Sequence, residues 1–248
     1  MDEPKEPSRG FWAPNILDSI VAPETSQVTT CSAPDISEPQ VNFVTYFLRN
    51  ALLGLTYPDR LRPPANVYLR RWALALSEYR AGRECLSRYV ARLPETNNQT
   101  GLFLSAVGHF EHSVINVYLA LMAMTAFVRQ VGDDKWKPFE AEDGSTADRL
   151  NKLYNVIKHF DDRFKMGQKL GYPSVYPAPL WITNNGLAGH TTLVNGKEFK
   201  GDWTRIKKKD DVRHEDVLVT FDEFATLLGE LTENARFIIE PTAPTEAT

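Results

Sequence analysis

The sequence predicts a mainly α protein, an antiparallel helical bundle with a small β-hairpin-containing insertion before the last helix. Three observations predict it. Apolar residues recur with a helical period over 64–92, 102–130 and 149–164. Asn195-Gly196 sits between two short β-prone runs in TTLVNGKEF, the doublet that a type I′ hairpin requires. Thr220-Phe221-Asp222-Glu223 is a capping box that opens a final amphipathic run. With 248 residues, 42% of them hydrophobic and 24% charged, the chain can bury a full core in one large domain.

Taken in order, residues 1–39 carry Pro4, Pro7, Pro14, Pro23, Pro34 and Pro39 among Ser, Thr and Glu and sustain no apolar period. They are expected to form a flexible arm, so that removing residues 1–38 leaves stability unchanged. A first helix is expected over 41–56, ended by Pro58. A second begins near Pro64 and runs to Arg92, with Tyr68, Trp72, Ala75, Leu76, Tyr79, Leu86, Val90 and Leu93 on its apolar stripe. The third, over 102–130, is apolar nearly all round, as the innermost element should be. Its stretch SVINVYLALMAMTAFV is shorter than the roughly 20 apolar residues of a membrane span. A buried central helix and no membrane partner are therefore expected.

The fourth helix, containing RLNKLYNVIKHFDDRF, starts at Ser145 or Thr146 as N-cap and is expected to stop near Gly167. Prolines and glycines then recur over about 171–220, which reads as a β-containing excursion with Leu180 to Thr183 and Val217 to Val219 as further strand candidates. Phe221, Phe224, Leu227, Leu228, Leu231, Ala235 and Ile238 carry the apolar face of the last helix. The tail 241–248 has the composition of the arm and is expected to be flexible too.

The net charge of −4 exerts no global pull on nucleic acid, so an anion-binding surface must be local. Cys31 and Cys85 are too few for a disulfide framework or a zinc site, and the N-terminus has no secretory pattern, so a reducing, cytoplasmic setting is expected. There is no glycine-rich phosphate loop, no G-x-S-x-G and no paired-cysteine ribbon, which removes those enzyme classes. His109, Glu111 and His112 lack the i, i+4 spacing of HExxH, and packing around Asn116 is their expected role. No cofactor or metal is expected.

On a helical wheel Leu150, Leu153, Ile157, Phe160 and Phe164 gather on one face of the fourth helix, with Tyr154 on its flank. Asn155, His159 and Arg163 fall on the opposite side, beside Lys152. Every solvated helix shows such a polar stripe. A sharper reading is chemical. An imidazole titrating near neutrality can move a proton to or from a ribose 2′-hydroxyl, while Asn or Arg holds a phosphate oxygen. Two such stripes across a dimer axis would supply an acid and a base without a metal.

A long helical hairpin followed by a helix carrying Asn155-x-x-x-His159 resembles the HEPN superfamily, small all-α proteins many of which are dimeric ribonucleases of bacterial defence and toxin systems. The resemblance extends over about 40–240, through GHFEHSVINVYLALM as the preceding core helix and to LWITNNGL and VTFDEFATLL. It implies RNA-directed, metal-independent endoribonuclease chemistry with His159 as general acid/base, Asn155 orienting it or the phosphate, and Arg163 or Lys158 stabilising charge. The position that the family usually gives to Arg holds Tyr154, which offers no fixed charge or fork of donors. That residue favours the alternative, a non-catalytic helical dimerisation or interaction module of the same fold.

Between residues 60 and 92, Arg60, Arg62, Arg70, Arg71, Arg80, Arg83, Arg88 and Arg92 stand against Glu78 and Glu84, a local charge of +6. Arg70, Arg88 and Arg92 lie opposite the apolar stripe and are the RNA-binding candidates, by backbone charge rather than base reading. Arg83 lies near the apolar side and is expected to pair with a carboxylate between helices. The apolar surface of the second and third helices exceeds what one layer needs, which leads to the expectation of a homodimer.

Overall fold

A computed structural model describes residues 28–37, 44, 46, 48, 57–93, 100–132, 137, 140, 142–159, 180–198 and 209–240. Within them the chain is mainly α with a small antiparallel sheet. The order is α1 (Arg62–Ala91), α2 (Thr100–Val131), α3 (Thr146–Lys158), β1 (Trp181–Ile182), β2 (Gly186–Val194), β3 (Lys197–Glu198), β4 (Val212–Thr220) and α4 (Phe221–Ile239). Most of the helix expected over 41–56, the tail 241–248, and the 160–179 and 199–208 stretches lie outside the described residues.

Helix α1 takes Pro63 and Pro64 in its first turn, where no amide donor is needed. Its stripe of Tyr68, Leu69, Trp72, Ala75, Leu76, Tyr79, Leu86 and Tyr89 is buried, as the helical period requires. Val90 is only partly buried, and Leu93 is exposed just beyond the helix. Helix α2 packs antiparallel along α1. Tyr89 meets Phe103, Tyr79 meets Phe110 edge-on at 5.8 Å, and Ser113 Oγ donates to the Ala75 carbonyl at 2.8 Å. Gly82 makes room for the Phe110 ring, which an added Cβ would meet at 3.2 Å.

Helix α4 also lies antiparallel to α1 and reaches α2 where Phe221 meets Phe110. The Tyr68 hydroxyl donates to the Leu231 carbonyl at 2.7 Å, Trp72 Nε1 donates to Thr232 Oγ1 at 3.0 Å, and Tyr79 meets the Phe224 ring at 5.4 Å. These bonds satisfy polar atoms that the large aromatic side chains carry into the core. The Thr220 to Glu223 capping box forms in full and starts α4 as its sequence predicts.

The four-stranded sheet is built on β2. Strand β4 pairs along its whole length, from Gly186↔Thr220 to Val194↔Val212, while β1 and β3 share the opposite edge. Asn195 and Gly196 both take positive φ, 53° and 78°, which closes the β2–β3 hairpin as a type I′ turn. A Cβ on Gly186 would run into the Val219 carbonyl, so the register of β2 against β4 requires glycine there. One sheet face, with Leu187, Val217 and Val219 buried, turns inward. The other carries Trp181 and Asp216, as the period-2 alternation demands.

Two expectations are corrected. The arm is not undocked throughout. Val28 and Ala33 are buried, Asn184 Oδ1 accepts the amides of Thr29 and Thr30, and Ser32 Oγ donates to the Asn184 carbonyl at 2.6 Å. Residues 28–37 thus form a strap from the β1–β2 turn to α1. There the Tyr79 hydroxyl donates to the Pro34 carbonyl and Arg83 Nε to the Ala33 carbonyl at 3.0 Å. The strap holds by backbone groups, the Ser32 hydroxyl and the apolar side chains of Val28, Cys31, Ala33 and Ile36, whose irregular spacing leaves no periodic pattern. Arg83 accordingly serves this strap, with Asp35 at 3.7 Å, and not a carboxylate between helices. The second correction concerns α2. It is long and apolar enough to cross a membrane by length and composition, but only half of its most apolar window is buried, so it is not enclosed on all sides.

Candidate functional site

The stripe that motivated a chemical reading sits at the end of α3. Ser145 is the N-cap, and its hydroxyl accepts the Asp148 amide at 3.2 Å. The carboxylate of Asp148, itself buried, accepts the amides of Glu142 and Gly144 and pairs with Lys152 at 3.0 Å. This closes the loop before the helix and fixes its entry. Leu150, Leu153 and Val156 are buried and Ile157 is half-buried, so the apolar face is the one expected, with Val156 added to it.

Asn155 and His159 stand one turn apart, both half-buried rather than fully wet, and Lys158 between them is exposed. The helix ends earlier than its sequence suggests. His159 is the C-cap, with φ −105° and ψ 19°, and its amide still donates to the Asn155 carbonyl at 3.1 Å. Its backbone has turned out of the helical region, so the i+8 relation that would put Arg163 on the same stripe no longer follows from helical geometry. Arg163, Phe160 and Phe164 lie outside the described residues.

Tyr154 lies against α2. Its ring stacks on Tyr118 with centroids 3.9 Å apart and planes 13° from parallel.

Arg70 and Arg88 are exposed on α1, and Arg92 is its exposed C-cap. Arg70 and Arg88 are separated by roughly 27 Å of helix. Both α1 and α3 pack on α2.

Two arrangements were not legible as sites. On the hairpin, Glu78 Oε2 lies 2.7 Å from His109 Nδ1 and 3.9 Å from His112 Nδ1, and Arg71 donates to Asn116 Oδ1 at 2.9 Å. His109 and His112 therefore serve a seam between α1 and α2, with Asn116 close by. On the sheet, the His190 ring lies 4.4 Å from Trp181, and its Nδ1 is 2.5 Å from Asp216 Oδ1. The signal for that cluster was the strand register, which pairs His190 with Asp216 and becomes visible only once β4 extends back to Val212. Burial pushes the Glu111 carboxyl on α2 up to about 7. Among the described residues no three His, Cys, Asp or Glu side chains converge as a metal-holding group.

No family model, curated protein or solved structure matches the chain.

Proposed function

We propose that this chain is a HEPN-like antiparallel helical bundle that works as a cytoplasmic dimerisation or interaction module, with the α3 stripe disarmed for RNA cleavage. The observation that carries this reading is the Tyr118–Tyr154 stack. It commits the position of the family's Arg to packing against α2, where tyrosine can offer neither fixed charge nor two parallel donors to a phosphate.

A second reading is favoured by one observation, the adjacency of Asn155 and His159 on the last turn of α3. In it the protein is an RNA-directed, metal-independent endoribonuclease. His159 moves the proton, Asn155 orients it or the phosphate, Lys158 or Arg163 stabilises charge, and Arg70, Arg88 and Arg92 hold the RNA backbone.

One experiment separates the two. Purified wild-type protein is incubated with single-stranded and hairpin RNA in EDTA, beside Tyr154→Arg, His159→Ala and the double variant. The module reading expects no cleavage by the wild type. A gain with Tyr154→Arg that vanishes in the double variant would identify a disarmed nuclease. Wild-type cleavage in EDTA that His159→Ala abolishes would overturn the module reading in favour of the nuclease.

A further inference from the structure

The two sides of the sheet end differently. Beyond β2 on one side stand β1 and β3, two residues each, short enough to offer little to another chain. On the other side stands β4, nine residues long and without proline, which pairs with β2 alone among the described strands.

The hydrogen bonds at the two ends of this ladder fix which groups of β4 face outward. Asn195 donates its amide to the Asp211 carbonyl, and Phe221 donates its amide to the Asn185 carbonyl, each at 2.8 Å. Both bonds fall on odd-numbered positions of one unbroken antiparallel register, so Arg213, Glu215, Val217 and Val219 turn their amides and carbonyls to β2. Val212, His214, Asp216 and Leu218 turn theirs away from the sheet. Nothing among the described residues bonds to these four amides and four carbonyls, whereas Thr220, next in the series, donates its amide to Glu223 at 3.0 Å. The edge lies open, because Glu215, Asp216 and Leu218 are exposed.

Side chains give this edge a sign. Asp216, on the outer face, has its Oδ1 2.5 Å from His190 Nδ1 and remains 76% exposed. Glu215 beside it points to the opposite face. Arg213 lies 2.9 Å from Asp211, which offsets its charge. Leu218 ends a row that runs from Trp181 through Ala188 across the outer face.

We infer that β4 takes up an extended basic segment of a partner protein as an added strand. The segment runs antiparallel to β4, the pairing that is slightly more stable per residue, and reads apolar-x-basic-basic. Its apolar residue continues the row of Trp181, Ala188 and Leu218. Its two adjacent Lys or Arg residues point to opposite faces, the first against Asp216 and the second against Glu215. The bare backbone supplies the ladder, and the two carboxylates select the sign. The same carboxylates repel phosphate, so this edge is a peptide site and no part of an RNA surface. The inference rests on the module reading, whose partner it names, but on none of the residues of the α3 stripe.

Fluorescence polarisation with the full chain tests it, using labelled Thr-Val-Thr-Lys-Lys-Thr-Thr amide as the probe. This peptide should bind saturably. N-methylation of its first lysine, whose amide faces β4, should weaken binding about tenfold, whereas N-methylation of the threonine before it, whose amide points away, should change binding little. Glu215→Lys made together with Asp216→Lys should lose this probe and take up its Glu-Glu counterpart, with the wild-type far-UV circular dichroism retained. By NMR hydrogen exchange, the amides of Val212, His214, Asp216 and Leu218 should exchange fast in the free protein and become protected with the probe bound. Absence of saturable binding would overturn the inference, as would binding that is indifferent to the site of N-methylation and leaves those amides unprotected. Concentration-dependent protection of the same amides in the free protein would overturn it too, because a second copy would then fill the edge. Each of these results leaves the module reading standing with another surface or partner, whereas RNA cleavage by the wild type removes the module reading and leaves the peptide measurement as it is.

Discussion

Tyr154 of α3 lies flat against Tyr118 of α2, with ring centroids 3.9 Å apart and planes 13° from parallel. The contact ties the helix bearing Asn155 and His159 to the longest helix of the protein.

A double-mutant cycle measures this contact. Tyr154→Ala and Tyr118→Ala, singly and together, should reveal a coupling of about 1 kcal/mol in urea denaturation, the magnitude of an aromatic pair beyond its buried area. Strictly additive effects would mean that the rings do not support each other.

The strap predicts the opposite of what its composition suggests. Removing residues 1–37 takes away the burial of Val28 and Ala33 and the hydrogen bonds to Asn184, Tyr79 and Arg83. A loss of about 3 kcal/mol, or roughly 5–10 °C in melting temperature, is expected. Asn184→Ala in the full chain should reproduce about half of it. Calorimetry that finds the truncated protein as stable as the full chain would restore the undocked arm.

Glu111 makes stability depend on pH in an unusual direction. Burial raises its carboxyl from 4.5 to about 7, so between these values the folded state holds a proton that the unfolded chain releases. Its favourable contribution is complete below about 4.5 and is lost as pH rises through about 7. Glu111→Gln should therefore stabilise the protein by about 2–3 kcal/mol at pH 8 and leave it unchanged near pH 4.5. Equal effects at the two pH values, read from urea melts, would contradict this.

The start of α4 should behave in the opposite sense. Hydrogen bonding, first from the Thr220 amide, holds the Glu223 carboxyl below its ordinary range, and Arg149 approaches it at 2.6 Å. The contribution is present above about 4.5 and lost as pH falls. Thr220→Ala should cost about 1 kcal/mol at neutral pH and less at a pH acidic enough to protonate Glu223, where its carboxyl accepts the Thr220 amide less strongly. A cost that is the same at both pH values in thermal melts would detach the capping box from the titration.

What the sequence determined by itself lies within a few residues of the signal that predicted it. The Ser145 and Thr220 caps, the Asn195-Gly196 turn and the buried stripes of α1 and α4 follow from backbone geometry and helical period, which neighbouring residues settle among themselves. The tertiary structure decided the rest. Asn184 holds Thr29 and Thr30 from about 155 residues away, and no local pattern marks a segment anchored largely by its own amides and carbonyls. Helix α3 ends at Lys158, although its apolar period continues in the sequence. The wheel put Tyr154 on the flank of the core face, and only the packing of α3 on α2 turned that flank into a stack. Periodicity marks which face of a helix is apolar, but what covers that face depends on which surfaces meet, and on the outer side of α2 nothing in the described chain does.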